Sequence, residues 1–208
     1  MMKRTMVLGG SLALAGLVIL AGHSVVQAGP KSKLGDNEIM EALKKYNGIG
    51  KAHKVLKKFR GEYQQVAKWH NTPGKNPVED KCTSVTGWLL GGRFMTQTVE
   101  GQWLGVNYEG LMTIGYDYGT EKYVMTWIDS FHTRVIESRG TFDKGSDTFT
   151  FEGTFFDAVA GKDRTVKTVM KLVGRRGGCH IELFDITDPK EPVMFFEIDS
   201  KRRMRAGA

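Results

Sequence analysis

Apolar and polar residues alternate with a period of two through most of the chain from Glu62 onward, and this alternation limits what the chain can fold into. In the run from Thr148 to Phe155, the phenylalanines fall on one side and Thr and Glu residues fall mostly on the other. This is the pattern of a β-strand with one face on a core and the other in solvent. The sequence therefore predicts a mainly β protein.

The alternation predicts about ten strands separated by short stretches of Gly, Asp, Asn and Pro. They are expected at residues 62–69, 82–90, 93–100, 106–116, 122–129, 133–142, 148–155, 166–172, 179–186 and 193–203. Short connections favour hairpins between neighbouring strands, and closing such a meander removes its exposed edges. We therefore predict a closed antiparallel β-barrel, with a two-sheet sandwich as the alternative.

Two helices are predicted before the strands. The first spans 37–47, is capped by Asp36 or Asn37, and has four apolar residues on one face: Ile39, Met40, Leu43 and Tyr46. The second ends at Gly61 and has apolar residues at helical spacing: Ala52, Val55, Leu56 and Phe59. We expect these N-terminal helices to cap the barrel, with the second helix closing one end.

The first 28 residues have the composition of a signal peptide. Lys3 and Arg4 precede an uncharged run from Met6 to Ala21, and Val26-Gln27-Ala28 supplies a cleavage site. We predict cleavage after Ala28, with an uncleaved membrane anchor as the alternative because the run is close to the minimum length of a span. His23 stands where a lipoprotein signal needs Cys, so no lipid anchor is predicted.

The chain is thereby divided into three parts: a signal peptide at 1–28, an N-terminal extension with a helix at 29–52, and the barrel domain at 53–208. We expect the protein to be exported, either to the periplasm or out of the cell. Without Lys3 and Arg4 the net charge falls from +7 to +5. This modest positive charge permits association with an anionic envelope surface, and no nucleic-acid partner is predicted. The sequence leaves open whether Cys82 and Cys179 form a disulfide.

Four segments together resemble a bacterial family known as domain of unknown function 1579, over about residues 53–203. They are His53-Lys54-x-Leu56-x-x-Phe59-x-Gly61-Glu62-Tyr63, Gly91-Gly92-Arg93-Phe94, Thr113-Ile114-Gly115-Tyr116-Asp117 and Tyr123-x-x-Thr126-Trp127-Ile128-Asp129-Ser130. The family usually has Trp where this chain has Tyr63. The resemblance implies a lipocalin-like barrel of antiparallel strands and implies no activity, because the family's function is unknown.

Aromatic and Met residues on the inward faces suit a small, largely apolar ligand held inside the barrel. The predicted lining is Trp88, Tyr116, Met125, Trp127, Phe155 and Met170, with His132 and Arg134 orienting the ligand's polar end. The plainer interpretation is that these residues form an ordinary core, and the facing of Trp88 and Trp127 depends on register. A structural or interaction module with a fully packed barrel, whose first helix docks a partner, is a further alternative.

Asp129, Ser130 and His132 are the residue types of a nucleophilic triad, which makes an enzyme acting on an envelope ester or lipid the rival hypothesis. Three residues on one tight turn seldom reach triad geometry, and Asp and Ser are common turn formers. No metal site and no cofactor are predicted, because the histidines are isolated and no Cys-x-x-Cys is present. Haem held by one axial histidine, His132 or His180, is an alternative.

Overall fold

The structure is a computed structural model that describes residues 35–70, 75–158, 160–173 and 177–203. The predicted signal peptide at 1–28 lies outside the described residues, as do 174–176 in one predicted hairpin loop and the end of the chain at 204–208.

Two helices precede ten strands. The helices are α1 (Asp36–Asn47) and α2 (Lys51–Leu56), and α2 continues into a 3-10 turn (Lys57–Phe59). The strands are β1 (Gly61–Trp69), β2 (Val78–Leu89), β3 (Phe94–Trp103), β4 (Val106–Asp117), β5 (Lys122–Asp129), β6 (Ile136–Asp143), β7 (Thr148–Asp157), β8 (Lys162–Val173), β9 (Gly178–Asp185) and β10 (Val193–Arg202).

The strands close into a barrel in which each pairs with its sequence neighbours and β1 pairs with β10. All ten pairings are antiparallel, and the closing pair brings Tyr63 opposite Arg202. The predicted closed ten-stranded barrel is therefore confirmed, and the sandwich alternative is wrong.

One strand begins later than predicted because a side chain holds the turn before it. The sixth strand was expected from residue 133, but β6 begins only at Ile136. Asp129 Oδ1 accepts hydrogen bonds from the backbone N–H groups of Phe131 and His132, each 2.9 Å long, and this Asx turn delays the return of the chain to the sheet.

One end of the barrel is closed by α2 and the 3-10 turn, as predicted. Leu56 and Phe59 are buried in the barrel opening, with Leu56 fully shielded from solvent. We call α2 and the 3-10 turn together the plug. Tyr63 donates a hydrogen bond to the Phe59 carbonyl (2.8 Å) and Tyr123 donates one to the Ala52 carbonyl (3.0 Å), so hydrogen bonds join both ends of the plug to strands. The cavity left beneath the plug has a volume of about 10 Å³, the space of about one water molecule.

The first helix packs little against the barrel. It begins at Asp36 rather than Asn37, because Gly35 takes the capping position and its N–H donates to Glu38 (2.9 Å). None of its residues is buried, so its apolar face is largely exposed. Neither of the described helices is long and apolar enough to cross a bilayer.

The two cysteines are free. Cys82 on β2 and Cys179 on β9 lie at opposite ends of one row of paired residues, with Gln65 and Ser200 between them. Three strand spacings of about 4.8 Å separate the two cysteines, whereas a disulfide needs Cα atoms within about 7 Å. This fold therefore keeps the two thiols apart.

Candidate functional site

The two ends of the barrel interior differ in their exposure to solvent. Through the middle of the barrel and under the plug, most inward-facing side chains are buried, including Met95, Ile114, Phe151 and Met170. At the other end, the inward-facing side chains are only half-buried although they point toward the barrel axis. We call this end the open cup. Its main lining residues are Ala67, Trp69, Cys82, Trp103, Tyr108, Trp127, Ile136, Phe155, Arg164, Val166, Leu183, Phe196 and Ile198.

One side of the open cup is an aromatic wall, formed by Trp69, Trp103, Tyr108 and Phe131. The ring centroids of Trp69 and Trp103 lie 5.2 Å apart, and those of Trp103 and Tyr108 lie 5.8 Å apart. Phe131, from the β5–β6 loop, meets Trp103 edge-on at 5.0 Å and stacks on Tyr108 at 5.6 Å. Contacts of this kind fix the rings in place and present a continuous apolar surface.

The opposite side of the open cup combines apolar side chains with one ion-pair cluster. Arg164 on β8 faces inward, opposite Phe155 of β7. Its Nε lies 2.7 Å from Asp157 Oδ2, and its Nη1 lies 2.5 Å from Asp185 Oδ2. The hydrogen bond to Asp185 is the main reason that the pKa of Arg164 is raised. The guanidinium is therefore charged and held between two carboxylates at the barrel end.

Asp129, at the end of β5, is the hydrogen-bonding centre of the aromatic side. Its side chain is only 4% exposed, and it accepts bonds from Trp127 Nε1 (2.8 Å) and Tyr108 Oη (3.4 Å). Its Oδ1 also contacts His132 Nδ1 at 2.8 Å. Burial alone would raise the pKa of Asp129, but the bonds from Trp127 and His132 outweigh it and hold the pKa below its ordinary value. The carboxylate is thus ionised and orients the indole and imidazole beside it.

The triad considered from the sequence is not assembled. Ser130 follows Asp129 with the opposite facing, and its Oγ accepts a hydrogen bond from the backbone N–H of Glu109 (3.1 Å) on the outer surface. His132 lies on Asp129 at the barrel rim, on the other side of the chain from that hydroxyl. His180, the other histidine considered as a haem ligand, also faces outward, with Nδ1 2.8 Å from Asp199. Within the described ranges no three His, Cys, Asp or Glu side chains meet as a metal site.

The eight residues predicted to bind a ligand are divided between the two ends. Trp88 and Trp127 both face inward, which settles the facing that the sequence alone left open. Phe155 lines the open cup, and Trp127 lines it while also packing against the core. The other four lie in or against the packed part of the barrel: Trp88, Tyr116, Met125 and Met170. His132 is at the rim of the cup. Arg134 is also at the rim, where it pairs with Asp163 at 2.6 Å and is half-exposed.

Sequence reasoning missed Trp69, Trp103, Tyr108 and Arg164. Each faces inward in the row nearest the open end, a placement that depends on how far each strand is staggered against the next. One signal was available. Trp69 and Trp103 each stand last in a strand that runs toward the same end of an antiparallel meander, so their rings were bound to be near one opening.

Two polar features remain around the open cup. The indole N–H of Trp103 is buried and has no hydrogen-bond acceptor among the residues that the structure describes. On the outer surface, a shallow groove of about 400 Å³ crosses β3, β4 and β5 and is bordered by Thr98, Glu100, Glu109, Leu111 and Ile128. The groove is open and partly polar, unlike the aromatic lining of the cup.

Comparison with known proteins gives a family match and no functional one. A family model described as a protein of unknown function (DUF1579) matches residues 49–202, which contain α2 and all ten strands. No curated protein matches the chain.

Proposed function

Since the chain belongs to the family of proteins of unknown function designated DUF1579, we propose its function from the barrel itself: binding and carriage of a small, largely apolar molecule in the open cup. The observation that carries this proposal is that side chains pointing into the barrel at the open cup stay partly exposed, whereas the plug covers the other end. An opening lined by aromatic and aliphatic groups is the usual form of a ligand site in a β-barrel.

The chemistry of the cup limits the ligand. Trp69, Trp103 and Trp127 offer ring faces that favour a planar or extended apolar group. The packed half of the barrel has room for about one water, so the ligand is confined to the open end.

Filling the cup tests the proposal. Ala67 faces inward between Asp80 and Ile198, so Ala67→Phe would occupy the cup without removing a wall residue. With the neutral fluorophore N-phenyl-1-naphthylamine as the probe, we expect the wild-type protein to bind it and A67F to bind at least about tenfold more weakly. The matched control is Val85→Phe, which adds the same ring to the outward face of β2 and should leave probe binding unchanged.

Two results would overturn the proposal: a wild-type protein that does not bind the probe, or equal binding by A67F and V85F. If A67F does not fold, the smaller variant Ala67→Leu replaces it. Circular dichroism shows whether a loss of probe binding comes from unfolding or from a filled cup. Native mass spectrometry of protein purified from its own envelope then identifies any co-purifying molecule. An empty protein would favour an interaction module.

We also propose that the chain is exported and cleaved after Ala28. The charged start, the uncharged run and the small residues at 26–28 support this proposal. Intact-mass measurement of protein recovered from cells should give a chain that begins at Gly29. A mass that retains residues 1–28 would instead favour the membrane anchor.

A further inference from the structure

The plug and the residues just before it carry a concentrated positive charge at the closed end of the barrel, beside the acidic residues of α1 and of the β4–β5 and β6–β7 turns. Between Lys44 and Arg60, seven of seventeen residues are Lys or Arg, and none is Asp or Glu. All seven are exposed. Two of them are paired, Lys44 with Glu41 at 2.7 Å and Lys58 with Asp147, and the others make no ion pair within the described chain. The whole protein carries +7, so the charge of this one segment equals the net charge of the chain.

Apolar side chains are exposed at the same end. Met40, Leu43 and Tyr46 form the uncovered face of α1, and each is more than two-fifths exposed. Ile49 is half-exposed and lies against Gly92, in the β2–β3 connection that also carries Leu90. The basic residues and these apolar residues together form what we call the basic end.

Leu90 has a backbone conformation that its surroundings do not explain. Its φ is 50°, in the left-handed region that leucine rarely adopts, and its side chain is 65% exposed. An exposed turn position of this kind suits Gly or Asn, and a leucine there is costly without a contact to offset it. Leu104 has the same conformation at the open end, so the conformation by itself does not mark a contact; what Leu90 adds to the basic end is an exposed apolar side chain.

We propose that the basic end docks on an anionic lipid bilayer, with Leu90, Ile49 and the apolar face of α1 in the boundary between headgroups and acyl chains. Lysines around scattered apolar side chains are the composition of an interfacial surface, since the ammonium groups contact lipid phosphates while apolar groups enter the bilayer. This charge complementarity distinguishes a bilayer from a second copy of the chain, whose basic end would repel the first. Docking in this way points the open cup away from the lipid.

The chain offers a matched pair of leucines for the test. Leu104 has a φ of 52° and is 60% exposed, nearly the same as Leu90, but it lies in the β3–β4 turn at the opposite end of the barrel. Binding is measured by flotation with vesicles of phosphatidylglycerol and phosphatidylethanolamine, and with vesicles of phosphatidylcholine alone. We expect Leu90→Gln to reduce partition into anionic vesicles about tenfold and Leu104→Gln to leave it unchanged.

Charge variants test the electrostatic half of the proposal. Removing Lys51 and Lys54 together (K51Q/K54Q) should weaken binding to anionic vesicles at least about tenfold, because each lysine near such a surface contributes about fivefold. The control is K162Q/K190Q, which removes two exposed lysines from the open end. Added salt should weaken binding of the wild-type protein, since the attraction is screened.

Amide hydrogen exchange of the vesicle-bound protein shows which end of the barrel the lipid covers. This result does not depend on where the purified chain begins. Slower exchange at 44–60 and 89–92, with no change at 103–106, is the expected result. Three outcomes would overturn the proposal: no partition into anionic vesicles, equal binding to phosphatidylcholine, or a greater loss from L104Q and K162Q/K190Q than from the basic-end variants. A dimer in solution that L90Q abolishes would assign the surface to a second copy instead.

Discussion

At the scale of single residues, the aromatic side of the open cup depends on a glycine. Gly110 on β4 has no side chain, and the Trp127 ring lies directly over its backbone. A Cβ at residue 110 would stand 2.5 Å from Trp127 Cζ2, closer than two carbon atoms can approach. Gly110 thereby allows the indole to lie flat on the wall and to donate its hydrogen bond to Asp129.

Gly110→Ala should therefore displace Trp127 and lower the free energy of unfolding by about 1–3 kcal/mol, as overpacking in a core does. The red shift of tryptophan emission and the chemical denaturation midpoint report the two effects. Gly87→Ala is the control, because a Cβ there meets nothing within 4 Å, and the stability should stay the same or rise slightly. An unchanged emission spectrum in G110A would contradict this account of the wall.

His53, in the plug, should make stability depend on pH. Its Nδ1 accepts a hydrogen bond from the Gly50 N–H (3.2 Å), so the ring is neutral, and burial, followed by the charge of Arg93, lowers its pKa below 6.5. The unfolded chain then binds a proton at His53 more readily than the folded one. The contribution of His53 to the free energy of unfolding is therefore complete above about pH 6.5 and is lost as the pH falls from there toward the pKa of the folded state.

Denaturation midpoints measured between pH 7.5 and 5 should fall less steeply for His53→Gln than for the wild-type protein. His180→Gln should act in the opposite direction. Burial disfavours protonation of His180, but Asp199 and Glu182 outweigh it and raise its pKa, so its contribution is present at low pH and lost as the pH rises. Parallel pH curves for the wild-type protein and H53Q would exclude His53 as the titrating group.

At the scale of elements, the plug carries much of the stability at the closed end. Leu56 is fully buried among strands, so Leu56→Ala should cost about 2–5 kcal/mol, measured as the shift of the urea midpoint at constant slope. Lys54→Ala, on the exposed side of the same helix, should change stability by less than about 0.5 kcal/mol. Probe binding in the open cup should survive L56A, since the plug closes the other end; its loss would place the ligand under the plug instead.

The elements were predictable because most information about them is local. The alternation seen at Phe149 and Phe151 recurs along the chain, and it located all ten strands to within a few residues. The start of β6 was not predictable, because the Asp129 side chain bonds two backbone N–H groups ahead of it. The exposure of α1 was also missed, since amphipathic spacing indicates that a face is apolar but not that anything covers it.

The open cup was predictable only in part, because it is made by stagger between strands. Trp127 and Phe155 were identified from the alternation of apolar and polar residues along their strands alone. Trp103 and Arg164 join them through the register of the β3–β4 and β7–β8 hairpins, and a one-residue slip would turn both outward. Charge placement was similarly hidden, since the total of +7 does not reveal that seven basic residues and no acidic one lie between residues 44 and 60 at the closed end.

At the scale of the whole molecule, the strand order determines the state of the cysteines. Protein purified without reductant should contain two free thiols, found as two additions of iodoacetamide under denaturing conditions. In the folded state Cys82, half-buried in the cup, should react before Cys179, whose pKa burial raises to about 12. A mass lower than that of the reduced chain by two hydrogen atoms, with neither cysteine alkylated, would show a disulfide and contradict the described strand order.

The seam between β1 and β10 also sets an order in time. The first strand finds one of its two partners only in the last, 131 residues of sequence away for the hydrogen-bonded pair Lys68 and Asp199. A ribosome must therefore release almost the entire chain before the barrel can shut, and until then both seam strands have an unpaired edge. A polypeptide that cannot finish folding until its final strand is made remains incompletely folded while it is being synthesised. The export proposed above would therefore come before closure of the barrel, because an incompletely folded chain can pass through a narrow translocation pore.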